Sequence, residues 1–291
     1  LAVGPLKLLR IPTDADGARA FLAGLYRGDP AALRQLLAWL EGRSPGAVAL
    51  VTADGERRLL SRREWLQEHL TTRGAPVGHG FSQANVDEDR AYYSFDPAPA
   101  VHCVVLDTVN RAGGANGSLD RAQLAWLEAD LAAHGGAATL LFCHHSLATL
   151  NNALRGAAEK EARVLGPELE ALLLRHRGVV ALVDGHSHRN QVIPHRRPVG
   201  GGFWEVNTAA HIDWPQQSRL LELFDNRDGT LSLICTLVDH AAPPDGRGAL
   251  TPAGLAAISR ELAYNDPRWS RSLGSGAPAD RNVELVLRSP G

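Results

Sequence analysis

Three unbroken apolar runs set the rhythm of the middle of the chain: VHCVVLDTV (101–109), ATLLFCHHS (138–146) and VVALVDGHSH (179–188). Continuous apolarity over five or more residues predicts strands buried on both faces, not the alternation of a half-exposed strand. The segments between them carry helix spacing instead. GSLDRAQLAWLEADLAAHGG (117–136) puts Leu124, Leu127 and Leu131 on one face, with Ser118 as its expected N-cap and Gly135 as its stop. Pro167 opens a second helix expected to reach His176. Strand, helix, strand, helix, strand predicts an α/β sheet with helices outside it and chemistry at the carboxyl ends of the strands.

The flanks read differently. Residues 1–75 are polar and mainly helical in pattern. Over 17–41, Leu33, Leu36, Leu37 and Leu40 recur at helical spacing behind Asp29 as N-cap and Pro30 as first helical residue. AVALVTAD (47–54) alternates like a strand. SRREWLQEHL (61–70) begins with a capping-box pair, Ser61 and Glu64. AYYSFD (91–96) is a further expected strand. Beyond residue 190, NQVIPHR, GGFWEVNTA, SRLLELFDN and GTLSLICTLVD predict antiparallel strands, with NRDG (226–229) as a hairpin turn. Residues 241–291 read as a tail with one helical piece near 252–263. The expected organisation is therefore a helical region at 1–75, the principal domain at 76–240 and an extension at 241–291.

Composition narrows the function classes. Of 291 residues, 44% are hydrophobic and 21% charged, which is ordinary globular usage. A net charge of -2 with no basic run gives no electrostatic case for nucleic acid or an anionic membrane surface. No apolar stretch approaches the roughly 18–20 residues of a membrane span. The cysteines, Cys103, Cys143 and Cys235, form no CxxC and no disulfide framework. The chain contains no methionine and starts at Leu1, which is read as a sequence whose N-terminal part lies upstream.

All three apolar runs end in polar groups: Asp107, the pair His144 and His145, and the pair His186 and His188. Neutral imidazole is the commonest metal ligand at neutral pH, so histidines at successive strand ends point to a metal site on one edge of the sheet. In GHSH the two imidazoles can diverge if they sit on a turn. Gly185 is the residue expected to take its unusual backbone geometry.

A strand ending in HH followed by one ending in GHxH resembles the last two sequence blocks of the calcineurin-like metallophosphoesterases. PVGHGF (76–81), LDTVN (106–110), GSLDRAQLAWLE (117–128), GHSHRN (185–190), GGFWEVNTAAHIDWPQQSRLLEL (201–223) and NRDGTLS (226–232) are similar to a bacterial branch of that superfamily. The resemblance implies an α/β two-sheet sandwich flanked by helices, incomplete at its N-terminus. It implies hydrolysis of small-molecule phosphoesters at two metal ions (iron, manganese or zinc). His144, His186 and His188 would be ligands, with His145 a neighbour. Arg189 and Asn190 would reach a phosphate or brace the loop. His79 would line the pocket or be an ordinary turn histidine, and Asp107 would orient a ligand or cap the next loop. Asn207 and His211 would stand behind the ligands, while Trp204 and Trp214 are expected to pack.

The superfamily's DxH, GDxxD and GNH blocks do not occur here. Three imidazoles bring no charge to offset the repulsion of two dications, so the chain alone is expected to bind metal weakly and hydrolyse poorly. A phosphoesterase-like domain kept for binding, and a mononuclear histidine-type hydrolase, are the rival expectations.

Overall fold

A computed structural model of the chain describes residues 60–156, 159–242, 250–267 and 271–290, together with residues 20, 23, 24, 27 and 29. The helix expected over 17–41 and the strand over 47–54 lie outside the described residues, those five apart. The chain divides into two compact units, Leu1–Leu59 and Leu60–Gly291. The elements below belong to the second.

Helix α1 (Arg62–Thr71) starts where the sequence predicts it. Ser61 accepts from the Glu64 amide, and the Glu64 carboxylate accepts from the Ser61 amide. A short helix α2 (Gln83–Asp87) leads into a sheet of six strands: β1 (Tyr93–Ala98), β2 (Val101–Val105), β3 (Ala138–Phe142), β4 (Val179–Asp184), β5 (Gln191–Arg196) and β6 (Gly202–Asn207). Their spatial order is β1-β2-β3-β4-β6-β5. The four central strands, β2, β3, β4 and β6, run parallel, and the edges β1 and β5 run antiparallel. Helices α3 (Arg121–Ala133) and α4 (Gly166–Arg175) make the crossovers between the first three parallel strands. A second sheet of three antiparallel strands follows: β7 (Gln217–Asp225), β8 (Thr230–Asp239) and β9 (Val283–Arg288). Between β8 and β9 come helices α5 (Pro252–Asn265) and α6 (Arg271–Ser275).

Each face of the six-stranded sheet buries its own layer. On one face Val104, Leu141, Leu182 and Phe203 meet Leu127 and Leu131 of α3 and Leu169, Leu172 and Leu173 of α4. On the other, Cys103, Leu140 and Val206 meet Leu231, Leu233 and Cys235 of β8 and Leu285 of β9. The second unit is thus an α/β two-sheet sandwich flanked by helices. In β4 both Val180 and Ala181 join the inter-sheet layer, although neighbours on a strand normally point to opposite faces. A register slip explains this, because Thr139 pairs with Val179 but Leu140 pairs with Ala181.

Two sequence expectations change. The N-cap of α3 is Asp120, whose carboxylate accepts from the Gln123 amide. Ser118 is fully buried two residues earlier, where its amide donates to Thr108 and its hydroxyl accepts from Arg163. The chain end is also more than a wrapping tail, since β9 pairs with β8 from Cys235↔Val283 to Thr230↔Arg288. Trp214 packs as expected, edge-on to Tyr264 at 5.0 Å.

Replacing the cap tests the first correction. Asp120→Ala is expected to lower the unfolding free energy by about 1 kcal/mol in urea denaturation. An unchanged stability would place the cap elsewhere.

Candidate metal centre

Parallel pairing fixes where the polar strand ends meet. Val105 pairs with Phe142, Phe142 with Val183, and Val183 with Val206, so the four parallel strands finish in one row. Two residues beyond that row stand Asp107, His144 and Gly185. The amide of Gly185 donates to the His144 carbonyl (3.0 Å), which carries the β3–β4 pairing up to the histidines.

His186 and His188 both adopt left-handed backbone, with φ of 60° and 55°. Gly185 does not, and a Cβ there would meet only ordinary contacts at 3.7–3.8 Å. The unusual geometry expected of the glycine therefore falls on the histidines, a residue type that tolerates it better than most but still at a cost. The Ser187 amide donates back to the Gly185 carbonyl (2.6 Å), closing a γ-turn centred on His186. Asn207 holds that turn from below. Its amide donates to the Gly185 carbonyl (2.7 Å) and to Asp184, and its carbonyl accepts from the Ser187 hydroxyl (2.6 Å).

The two imidazoles diverge from this turn. His186 faces His144, with Nδ1 of His186 3.2 Å from Nε2 of His144. Its Nε2 lies 3.1 Å from Oδ1 of Asn116, whose amide nitrogen donates to Asn151. Asn116 thus presents its carbonyl, His186 carries its proton on Nε2, and Nδ1 keeps the lone pair. His188 turns to Asp213, with Nδ1 2.5 Å from the carboxylate. That bond puts the proton on Nδ1 and the lone pair on Nε2, the arrangement of a carboxylate-oriented histidine ligand.

His145 is buried and differently occupied. Nε2 donates to the Ala115 carbonyl (2.9 Å), so Nδ1 must accept from the Thr108 hydroxyl (2.7 Å). Both ring nitrogens of His145 are thus engaged in hydrogen bonds. The Asn116 loop comes this close only because residue 117 is glycine. A Cβ there would stand 2.4 Å from Nδ1 of His145.

Electrostatics keep these rings basic in the Lewis sense. Burial, then the neighbouring imidazoles, lowers the pKa of His144 and of His186. Burial likewise lowers that of His145. One donor atom from each of the three lies within 4.8 Å of the others, and no carboxylate joins this group among the described residues. The negative charge is kept beneath it instead. Burial, reinforced by Glu205, pushes Asp184 up to about 9. Glu205 lies below its ordinary range: burial opposes its charge, but the bond from His195 and that from the Leu147 amide outweigh it. Asp184 Oδ2 has no partner as a carboxylate oxygen among the described residues, and as a hydroxyl it has one in Glu205. His195 is clamped at 2.7 Å by both Glu205 and Glu170.

The remaining sequence candidates lie around this centre. Asn190 is buried and braces the two sheets, donating to Gln217 and accepting from Arg219. The Nε of Arg189 is buried without a hydrogen-bond partner among the described residues. Asp107 accepts from Arg62 (3.1 Å) and from the Val109 amide (3.0 Å), capping its loop. His211 bonds the Ser218 hydroxyl (2.9 Å). His79 has left-handed backbone between two glycines, and its ring lies 6.1 Å from that of His69 on α1. The sequence reading passed over Asn116, Asp213 and Thr108, which stand 70, 25 and 37 residues from the histidines they touch.

No protein-family model matches the chain, and no curated protein does. A solved structure described as a dimetal phosphatase from Danio rerio is similar at 16% identity, over 74% of this chain and 76% of that one, with a TM-score of 0.40. No helix among the described residues is long and apolar enough to cross a membrane.

The buried network predicts a pH dependence. Burial opposes a charge on His195, but Glu205 and Glu170 outweigh it and raise the pKa above 6.5. A raised pKa means the folded state binds the proton more tightly. The stabilisation is therefore full below the unfolded value and is lost as pH rises through the folded one. Glu170→Gln should cost up to about 1 kcal/mol near pH 6 and less near pH 10 in urea denaturation, Glu170 being partly exposed. An equal cost at both pH values would mean that His195 is neutral throughout.

Proposed function

We propose that the strand-end histidines hold a first-row transition ion (iron, manganese or zinc) and that the chain serves metal-dependent hydrolysis of small-molecule phosphoesters. The observation that carries this reading is the convergence of His144 Nε2 and His186 Nδ1 at 3.2 Å. Two nitrogens at about 2.05 Å from one tetrahedral ion stand about 3.3 Å apart. The donors fit an imidazole-bound metal in chemistry as well as in spacing, since burial and mutual repulsion keep both rings neutral. A bound ion would supply a Lewis acid for the phosphoryl oxygens and a water of lowered pKa.

The chain's own residues prepare that chemistry. Asn116 fixes the His186 tautomer, and Asp213 fixes that of His188, which makes His188 the candidate ligand of a second position. Ser187 and Asn207 hold the turn against its backbone strain. Arg189, adjacent to His188, offers a guanidinium suited to bidentate contact with phosphate. His79 groups with the rings beside α1, so its proposed part in catalysis is the weaker of the two.

The donor set fits a second ion less well. Two dications need a bridging carboxylate, and Asp213 is engaged on the far nitrogen of His188. The reading therefore expects weak metal binding and low turnover from this chain. With manganese or zinc and a generic aryl phosphodiester, His186→Ala should lose at least about 10-fold in metal affinity along with the residual activity. Turnover near that of the parent in His186→Ala would overturn the assignment.

A further inference from the structure

The β5–β6 hairpin and the end of β9 line a cavity of about 500 Å³. It lies at the end of the six-stranded sheet away from the candidate metal centre. Gly202 opens β6 beside it and Asn207 closes that strand, so the two sheet ends stand about 17 Å apart.

Register sets what faces this cavity. On β5, Val192, Pro194 and Arg196 share one face, and pairing puts Pro194 opposite Trp204 and Arg196 opposite Gly202. Val192 and Trp204 pack with the inter-sheet layer, as does Leu287 of β9, so this face turns toward the second sheet. Pro194, Trp204 and Leu287 give the cavity an apolar wall. Residue 202 adds no bulk to it, because a Cβ there would collide with the His195 carbonyl.

Three arginines and one histidine line the cavity, and no carboxylate does among the described residues. Two of these four groups are engaged by the fold. His195 sits 2.7 Å from both Glu170 and Glu205. Arg197 donates to the carbonyls of Leu174 (2.8 Å), His176 (2.7 Å) and Gly202 (3.0 Å), which braces the hairpin. The other two, Arg196 and Arg288, are exposed, and neither guanidinium has a hydrogen-bond or ion-pair partner among the described residues. Asp228 does not compensate them, since it accepts from the amide and hydroxyl of Thr230. Two unengaged guanidiniums thus border an apolar wall with no acid in the lining.

We propose that this cavity binds a small aromatic anion, a planar ring carrying a phosphate, phosphonate, sulfonate or carboxylate group. Arg196 and Arg288 take the charged group, and Pro194 and Trp204 take the ring. A guanidinium fork matches such oxyanions in charge and in bidentate geometry. The volume falls within the roughly 300–1,000 Å³ of small-molecule sites, which pair apolar walls with a few placed polar groups. The site needs no metal and shares no residue with the strand-end histidines.

The test is fluorescence titration of 1-anilinonaphthalene-8-sulfonate into the full chain, followed by displacement with phenylphosphonate or with benzyl alcohol. Phenylphosphonate should displace the dye from one saturable site per chain, and benzyl alcohol should not. Affinity should fall about 10-fold or more in Arg196→Ala and in Arg288→Ala. Both side chains are exposed and unbonded, so these variants keep the fold. Arg175→Ala, which removes an exposed arginine paired with Glu128 outside the cavity, should bind as the parent does. His186→Ala should also bind as the parent does, so this site and the candidate metal centre fail independently. Unchanged affinity in both Arg196→Ala and Arg288→Ala, or equal displacement by benzyl alcohol, would overturn the proposal.

Discussion

The geometry of the candidate metal centre rests on the parallel pairing of β2, β3, β4 and β6, which brings four strand ends to one row. Strands of an antiparallel sheet would send alternate ends to opposite edges, and residues 107, 144 and 186 would not meet. Parallel strands need crossovers, and α3 and α4 provide them while covering one face. The second sheet covers the other face. With both faces dry, the strands can be continuous apolar runs, and polar residues are pushed to their ends. Sheet order, core composition and the placement of the histidines are consequences of one arrangement.

Charge is distributed to suit that arrangement. The rings at the strand ends are held neutral by burial and by one another. The acid directly beneath them, Asp184, is held protonated, while the ionised partner Glu205 is neutralised by His195 at the sheet edge. A neutral Asp184 can hold the strand end next to Asn207 without placing an uncompensated charge in the core. Holding His186 and His188 at left-handed φ has a cost, and the bonds from Asn207 and the Ser187 amide offset it.

Much of this was legible in the sequence because it depends on local pattern. The apolar runs at 101–109, 138–146 and 179–188 located three parallel strands, and the residues closing them come together at one edge of the sheet. The helix spacing around Leu127 and Leu131, and the capping pair Ser61 and Glu64, have the same local origin. What could not be read is long-range. Asn116 reaches His186 across 70 residues and Asp213 reaches His188 across 25, so no spacing rule ties them. Gly185 was expected to carry the unusual φ because glycine is its commonest host; the turn closes one residue later, on His186. Ser118 lost the cap to Asp120 because the loop before α3 is drawn inward by the bridge between Leu119 and Val164. The alternation in VELVLR (283–288) was present in the sequence, but its partner strand lies some 50 residues earlier, across two helices.

The central claim is that His144 Nε2 and His186 Nδ1 face each other at a distance one ion can span while both nitrogens of His145 are taken. Long-range proton–nitrogen NMR of the imidazoles during zinc titration tests it most directly, because it reads protonation and ligation at each ring nitrogen. The account predicts that His145 and His186 both start with the proton on Nε2. Zinc should then shift His186 Nδ1 and His144 Nε2 and leave His145 unmoved. Ligation through His145, or a His186 Nδ1 resonance indifferent to zinc, would contradict it.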